Sequence, residues 1–155
     1  MKNLAMIAIA VTLTACSLNP VIAPYAVAGA SLATESQVAT IWGSANNSRA
    51  YFKKINGNSL PSRGGGGYPL SIQLLPGRHV AEIYFQSVDK QGRLVDGDNI
   101  IFPVKVEAGR TYVLEHNISP DRAHVSFDLR DLGETRCAYE AKSVGVQQIE
   151  RLVCK

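Results

Sequence analysis

Strict alternation of apolar and polar residues between short turn signals constrains the fold of this chain more than any other feature. In PLSIQLL, Leu70, Ile72 and Leu74 lie on one face of an extended strand, and polar residues lie on the other. Pro76-Gly77 then turns the chain into a longer alternating segment, RHVAEIYFQSV. A period of two that is interrupted by turns predicts strands that bury one face.

Further segments extend this pattern in both directions. VATIW, RAYFKKI, NIIFPVKV, TYVLEH and AHVSFDLRDL have the composition and alternation of strands. Asn56-Gly57 predicts a tight turn, Asp96-Gly97-Asp98 predicts another, and Pro103 indicates an edge strand or a bulge. We therefore expect an all-β fold, a small antiparallel β-sandwich of about seven strands over residues 37–155.

The C-terminal tail from Cys137 has a less regular pattern. Val146, Ile149 and Val153 are at helical spacing, so GVQQIERLVC is predicted as a short helix, with a final edge strand as the alternative.

Two strand–turn–strand segments resemble the PEGA-like domains of bacterial envelope proteins. They are SIQLLPGRHVAEIYF, with its turn at Pro76-Gly77, and FPVKVEAGRTYVLE, with its turn at Ala108-Gly109. The resemblance covers about Ala39 to Asp128. It implies a PEGA-like or immunoglobulin-like sandwich that serves as an adhesive or spacer module, and it implies no shared chemistry.

The first 15 residues, MKNLAMIAIAVTLTA, have the pattern of a signal peptide: Lys2, an apolar run, then small residues. The apolar run is about half of the ~20 residues that a membrane-spanning helix needs. Leu13-Thr14-Ala15-Cys16 resembles the lipobox of bacterial lipoproteins, which implies cleavage before Cys16 and acyl chains on that residue. Ser17, in place of an aspartate, implies passage to the outer membrane, with the domain facing the periplasm.

Residues 16–36 are rich in proline, alanine and other small residues. Pro20 and Pro24 disfavour a helix, so we expect a lipidated tether that holds the domain off the membrane. A first strand between Val21 and Val27 is the alternative.

Cysteine pairing follows from the lipid. The chain has three cysteines, and a lipid on Cys16 leaves Cys137 and Cys154 as a pair. Because the periplasm is oxidising, we expect these two to form a disulfide that staples the C-terminal tail.

Charge excludes one class of partner. The net charge of the whole chain is +3, and it falls to +2 without the leader because Lys2 is the only charged residue there. The basic residues are scattered rather than clustered in a stripe, so no nucleic-acid partner is expected. The expected partners are the membrane, through the lipid on Cys16, and another envelope protein or the cell wall.

No catalytic or metal motif stands out. The alternation places His79, His116 and His124 on different faces, so neither a metal nor a cofactor is expected. His79 is expected to bond the turn backbone beside Pro76-Gly77. No nucleophile–base motif occurs, which predicts a protein that is not an enzyme. A pocket that gathers His116, Asp121 and Arg122 would instead favour a hydrolase.

One loop is the candidate binding site. Arg63, Gly64, Gly65, Gly66, Gly67 and Tyr68 form a glycine-rich connection that lacks the Gly-Lys-Ser/Thr ending of a phosphate loop. Four glycines contribute no side chain to a core, which suggests a segment that orders on contact with a partner. A tolerated surface insertion is the alternative.

The sequence therefore predicts a non-catalytic envelope lipoprotein whose β-sandwich is a binding or structural module in the periplasm. An accessory lipoprotein that anchors a secretion or pilus machine is the alternative.

Overall fold

The computed structural model describes residues 23–43, 48–62, 67–88, 93–121, 124–144 and 147–155. None of the helices in these ranges is long and apolar enough to cross a membrane. In chain order the elements are β1 (Tyr25–Ala26), two 3-10 helices (Ala30–Leu32 and Glu35–Gln37), β2 (Ala39–Trp42), β3 (Ser48–Ile55), β4 (Asn58–Ser59), β5 (Ser71–Leu74), β6 (Gly77–Val88), β7 (Leu94–Val106), β8 (Thr111–Ile118), β9 (Val125–Asp131), β10 (Cys137–Val144) and β11 (Gln147–Cys154).

Two sheets form a β-sandwich, which confirms the predicted all-β class. One sheet has the strand order β1-β5-β2-β8-β9, and the other has the order β4-β3-β6-β7. Their inner faces meet in one core, where the rings of Phe85 and Phe127 lie 5.4 Å apart, edge to face. Fully buried members of this core come from both sheets: Ile41, Phe52, Ile72, Leu74, Ile83, Phe85 and Leu114.

The five-stranded sheet is mixed, whereas an antiparallel sandwich was expected. β2 runs parallel to β8, with Thr40 opposite Thr111 and Trp42 opposite Val113, and β1 runs parallel to β5. The reason is topological. The whole four-stranded sheet lies between β2 and β8 in the chain, and a connection of that length permits two parallel neighbours.

The predicted turn at Asn56-Gly57 is confirmed. Asn56 has φ +52° and Gly57 has φ +80°, which are the left-handed values that a tight hairpin turn requires. The Asn56 Oδ1 accepts a hydrogen bond from the backbone N–H of Val80. The His79 ring lies between the Asn56 amide, at 3.0 Å, and the carbonyl oxygen of Leu75, at 2.9 Å. His79 therefore bonds the turn backbone, as predicted.

The predicted turn at Asp96-Gly97-Asp98 does not form. These residues continue β7, and the irregularity falls one residue later, where Asn99 has φ +56° and the register with β6 shifts. A bulge absorbs an extra residue without ending the strand, which explains why turn-forming residues occur here inside a strand. Pro103 lies in β7 at the edge of its sheet, as predicted.

The described part of the predicted tether packs on the sandwich. β1 adds to the edge of the five-stranded sheet, with Tyr25 opposite Ile72, and Ala30 is buried. At the second 3-10 helix, the side chains of Thr34 and Gln37 form a capping box. The fold therefore begins before residue 37. The alternative of a first strand is correct for Tyr25–Ala26, because an edge strand needs only one neighbour and tolerates nearby prolines.

The tail is a β-hairpin, so the predicted short helix is wrong and the strand alternative is correct. β10 and β11 form their own antiparallel sheet, with Cys137 opposite Cys154 and Val144 opposite Gln147. A Cys137–Cys154 disulfide closes its open end, as predicted. Just beyond it, Arg136 and Lys155 exchange two backbone hydrogen bonds of 3.1 and 2.9 Å. Pairing with β10 overrides the helical spacing of the apolar residues.

Candidate functional site

A second, smaller core attaches the tail hairpin to the outer face of the five-stranded sheet. The rings of Trp42 and Tyr139 lie 5.0 Å apart in an edge-to-face contact, and Val113 completes the buried cluster. The Tyr139 hydroxyl donates a hydrogen bond to the carbonyl oxygen of Gly43. Because one aromatic side chain supplies both the apolar contact and the hydrogen bond, Tyr139 is the main anchor of the hairpin.

Three polar side chains meet at one end of the main core. The Ser48 Oγ lies 3.0 Å from the Ser87 Oγ and 3.1 Å from the Nε2 of His116, and the His116 ring packs against Phe85. A serine hydroxyl beside an imidazole is also the start of a nucleophile–base pair. Here both serine residues are buried, which keeps a substrate from their hydroxyls. The cluster therefore joins β3, β6 and β8.

The hydrolase alternative required His116, Asp121 and Arg122 in one pocket. His116 bonds Ser48, whereas the Asp121 carboxylate accepts a hydrogen bond from the Ser119 hydroxyl, and Arg122 lies outside the described residues. Among all the residues that the structure describes, no group of three or more histidine, cysteine, aspartate or glutamate side chains converges as a metal site would require.

The position of His116 makes stability depend on pH. Partial burial lowers the pKa of His116 below its ordinary value of 6.5. The unfolded chain therefore binds a proton at a pH where the folded protein does not, and the free energy of unfolding falls as pH drops through 6.5 toward that lowered pKa. We expect urea unfolding between about pH 7.5 and 5 to show this fall. His116→Gln should flatten the profile in that window, and an unchanged slope would contradict the assignment.

The outer face of the four-stranded sheet carries aromatic and apolar side chains where solvent-facing strands usually carry polar ones. Tyr51 on β3 stands opposite Tyr84 on β6, and their rings stack with centroids 5.9 Å apart. Val80 on β6 stands opposite Pro103 on β7 and is 46% exposed, and Ile101 on β7 is 62% exposed. We call these five residues the tyrosine face.

Charged groups lie both within and beside the tyrosine face. Lys53 is the extra residue of a bulge in β3, and its Nζ lies 2.6 Å from the Asp98 carboxylate and 2.7 Å from the Asn99 amide oxygen. The hydrogen bond between Lys53 and Asp98 raises the pKa of Lys53 and lowers the pKa of Asp98. The neighbouring Lys54 lies 2.8 Å from Glu82. Glu82 lies between Val80 and Tyr84 on β6 and stands opposite Ile101, so this pair crosses the tyrosine face. Arg49, which donates a 3.4 Å hydrogen bond to the Tyr51 hydroxyl, and the facing residues Arg78 and Lys105 add positive charge along it.

The predicted binding loop approaches this face at its C-terminal end. The Tyr68 ring lies 5.9 Å from the Nζ of Lys53, and the carbonyl oxygen of Pro69 accepts a hydrogen bond from the backbone N–H of Phe52. Arg63, Gly64, Gly65 and Gly66 lie outside the described residues, as does Cys16. Gly67 and Tyr68 thus lead the loop to β3, next to the tyrosine face.

Sequence reasoning gave weight to the glycine loop and missed the tyrosine face. The signal was present in RAYFKKI and RHVAEIYF, where Tyr51, Val80 and Tyr84 occupy positions that the alternation assigns to solvent. Large apolar side chains at such positions indicate a covered surface.

No family model matches this chain, and neither a curated protein nor a solved structure matches it.

Proposed function

We propose that this protein is a non-catalytic lipoprotein of the bacterial envelope, held to the outer membrane by lipid on Cys16, whose sandwich binds another envelope protein. The observation that carries the binding role is the tyrosine face. The anchoring role rests on the leader pattern that ends at Leu13-Thr14-Ala15-Cys16. The PEGA-like relationship suggested by the Pro76-Gly77 and Ala108-Gly109 turns belongs to the same proposal.

The chain length between anchor and fold supports a module close to the membrane. Six residues separate Cys16 from Ala23, where the described part of the chain begins. Seven residue steps span at most about 25 Å when fully extended. A module on so short a tether lies within reach of proteins that are themselves at the membrane, which is consistent with an envelope protein as partner.

The shape and chemistry of the tyrosine face favour a protein partner. Sites for small molecules are concave, whereas this face is the outer side of a sheet. Tyrosine is enriched in the buried centres of protein interfaces, and charged groups are depleted there. Tyr51, Tyr84 and Ile101 supply aromatic and apolar contacts, and the Lys54–Glu82 pair that lies between them is already satisfied within the chain.

Anchoring is tested by replacing the acceptor of the lipid. Cys16→Ser removes the thiol that the lipobox pattern assigns as the acceptor of diacylglycerol. We expect the variant to keep its leader and to lose the shift into the detergent phase that acyl chains cause. Metabolic labelling with a fatty acid, followed by phase partitioning, measures both. Normal maturation and detergent partitioning of the variant would overturn the anchor.

Binding is tested by placing a charge on the tyrosine face. Ile101→Asp should abolish recovery of partners after crosslinking of intact envelopes, because a carboxylate that is buried in an interface without a partner is costly to desolvate. Leu32→Asp is the matched control, since Leu32 is 94% exposed and lies on the first 3-10 helix instead. If the unmodified chain is crosslinked to the cell wall and to no protein, the proposal of a protein partner is wrong. Equal recovery by both variants would overturn the binding face.

A further inference from the structure

A cleft of about 370 Å³ opens on the outer face of the five-stranded sheet, beside the tail hairpin. Its floor is formed by Val38, which directly precedes β2, and by Thr40 and Trp42 of β2, with Thr111 of β8 alongside. Val38 and Trp42 are each 3% exposed, so Thr40 is the more accessible of these three. The volume is in the range of small-molecule sites. The cleft lies on the opposite sheet from the tyrosine face, so the two surfaces can be tested independently.

The walls of the cleft carry both signs of charge. One wall is formed by the segment before β2, with Glu35. Another is formed by the connection from β9 to β10, with Glu134 and Arg136, and Arg110 lies at the turn before β8. Two acidic and two basic groups thus surround an apolar and hydroxyl-bearing floor. A ligand that complements them carries both signs as well.

One ion pair joins two of these walls. The Nη2 of Arg136 lies 2.9 Å from the Oε2 of Glu35, and both side chains are mostly exposed. Exposed pairs of this kind contribute only about 0–1 kcal/mol, so an entering ligand loses little by separating them. The Arg110 Nε–H donates to Asp131 at 2.7 Å, and its guanidinium carries four further N–H donors.

We propose that this cleft binds a short peptide with a free ammonium and a free carboxylate. The carboxylate replaces Glu35 as the partner of Arg136 and takes further hydrogen bonds from Arg110. The ammonium takes the place of Arg136 beside Glu35 and Glu134. Separating the Glu35–Arg136 pair thus leaves no charge unpaired, because the ligand supplies both opposite charges. The apolar parts of the peptide lie over Thr40 and touch only the exposed edges of the mostly buried Val38 and Trp42.

Trp42 provides the measurement, because it is the only tryptophan of the chain and lines the cleft. Trialanine with free ends should change its fluorescence saturably in the purified, disulfide-bonded protein. The same peptide with an acetylated amino end and an amidated carboxyl end should bind at least about tenfold more weakly, since charge-assisted hydrogen bonds are lost. Equal binding of both peptides, or no response to either up to about 10 mM, would overturn the proposal.

Variants separate the cleft from the surrounding surface. Arg136→Ala and Glu35→Gln should each weaken trialanine binding about tenfold, and both side chains are exposed, so the fold should persist. Arg130→Ala is the matched control, because Arg130 also forms an exposed ion pair, with Glu115 at 2.8 Å, but does not line the cleft. If Arg130→Ala weakens binding as much as Arg136→Ala does, the cleft is not the site.

Discussion

Replacing Tyr139 with alanine should lower the free energy of unfolding by about 3 kcal/mol, because a large buried aromatic side chain is removed from a packed site. The loss has two sources. One is the contact between the Tyr139 ring and Trp42, and the other is the hydrogen bond from the Tyr139 hydroxyl to Gly43. Urea unfolding followed by circular dichroism measures the change, and the emission of Trp42 should shift toward that of a more solvated indole.

Tyr139→Phe separates the two sources. It keeps the ring against Trp42 and removes only the hydroxyl, so we expect a loss of about 1 kcal/mol. If the alanine variant is as stable as the unmodified protein, the hairpin does not depend on Tyr139 as its anchor. If the phenylalanine variant loses as much as the alanine variant, the hydrogen bond rather than the ring holds the hairpin.

Removing the disulfide should cost a similar amount. Cys137 and Cys154 are 17 residues apart, and closing a loop of that length lowers the entropy of the unfolded chain by an amount worth about 3 kcal/mol. The double variant Cys137→Ser, Cys154→Ser should therefore unfold at a lower urea concentration. Because the sandwich core contains neither residue, the two sheets should remain folded at low urea.

The reducing agent dithiothreitol supplies the matched control for this pair. It should lower the unfolding midpoint of the unmodified protein and leave that of the double serine variant unchanged. In the double serine variant, amide hydrogen exchange should increase more in β10 and β11 than in the sandwich, since the tail is hydrogen-bonded as its own sheet. A serine variant with unchanged stability and unchanged exchange in the tail would contradict a stapling role for the disulfide.

The strands of the sandwich follow from the sequence because each buries one face. In segments such as SIQL, apolar and polar residues alternate without interruption, and a slip of one residue would expose the apolar set. The Asn56-Gly57 turn was predictable for a local reason, since both residues must adopt positive φ. Such features depend on neighbours in the chain alone.

The elements that were predicted wrongly depend on distant contacts. Gly97 lies inside β7 because pairing with β6 continues through a bulge, which no local signal reveals. The tail is a hairpin because Cys137 stands opposite Cys154 across two paired strands, although its apolar spacing suits a helix. The parallel pairing of β2 with β8 likewise arises only once the whole topology is formed.

The candidate binding surfaces also divide into those that depend on distant contacts and one that has a local sequence signal. Tyr51 and Tyr84 are 33 positions apart in the chain, and only the register of β3 with β6 places them side by side. The cleft beside the tail hairpin is lined by residues from two distant segments, 24–42 and 108–137, so no single motif could have indicated it. The glycine loop could be predicted as a candidate site because its signal is local, and its described end lies at Tyr68, next to the tyrosine face.

Site-specific photo-crosslinking in intact cells tests the binding face most directly. A photoreactive amino acid at position 101 should yield a discrete adduct with one envelope protein, because Ile101 lies on the tyrosine face and is 62% exposed. The same amino acid at position 32, on the more exposed Leu32, should not yield that adduct. A discrete protein adduct from position 101 alone is the predicted result. No adduct at position 101, or the same adducts from both positions, would contradict the assignment of the tyrosine face as the binding surface.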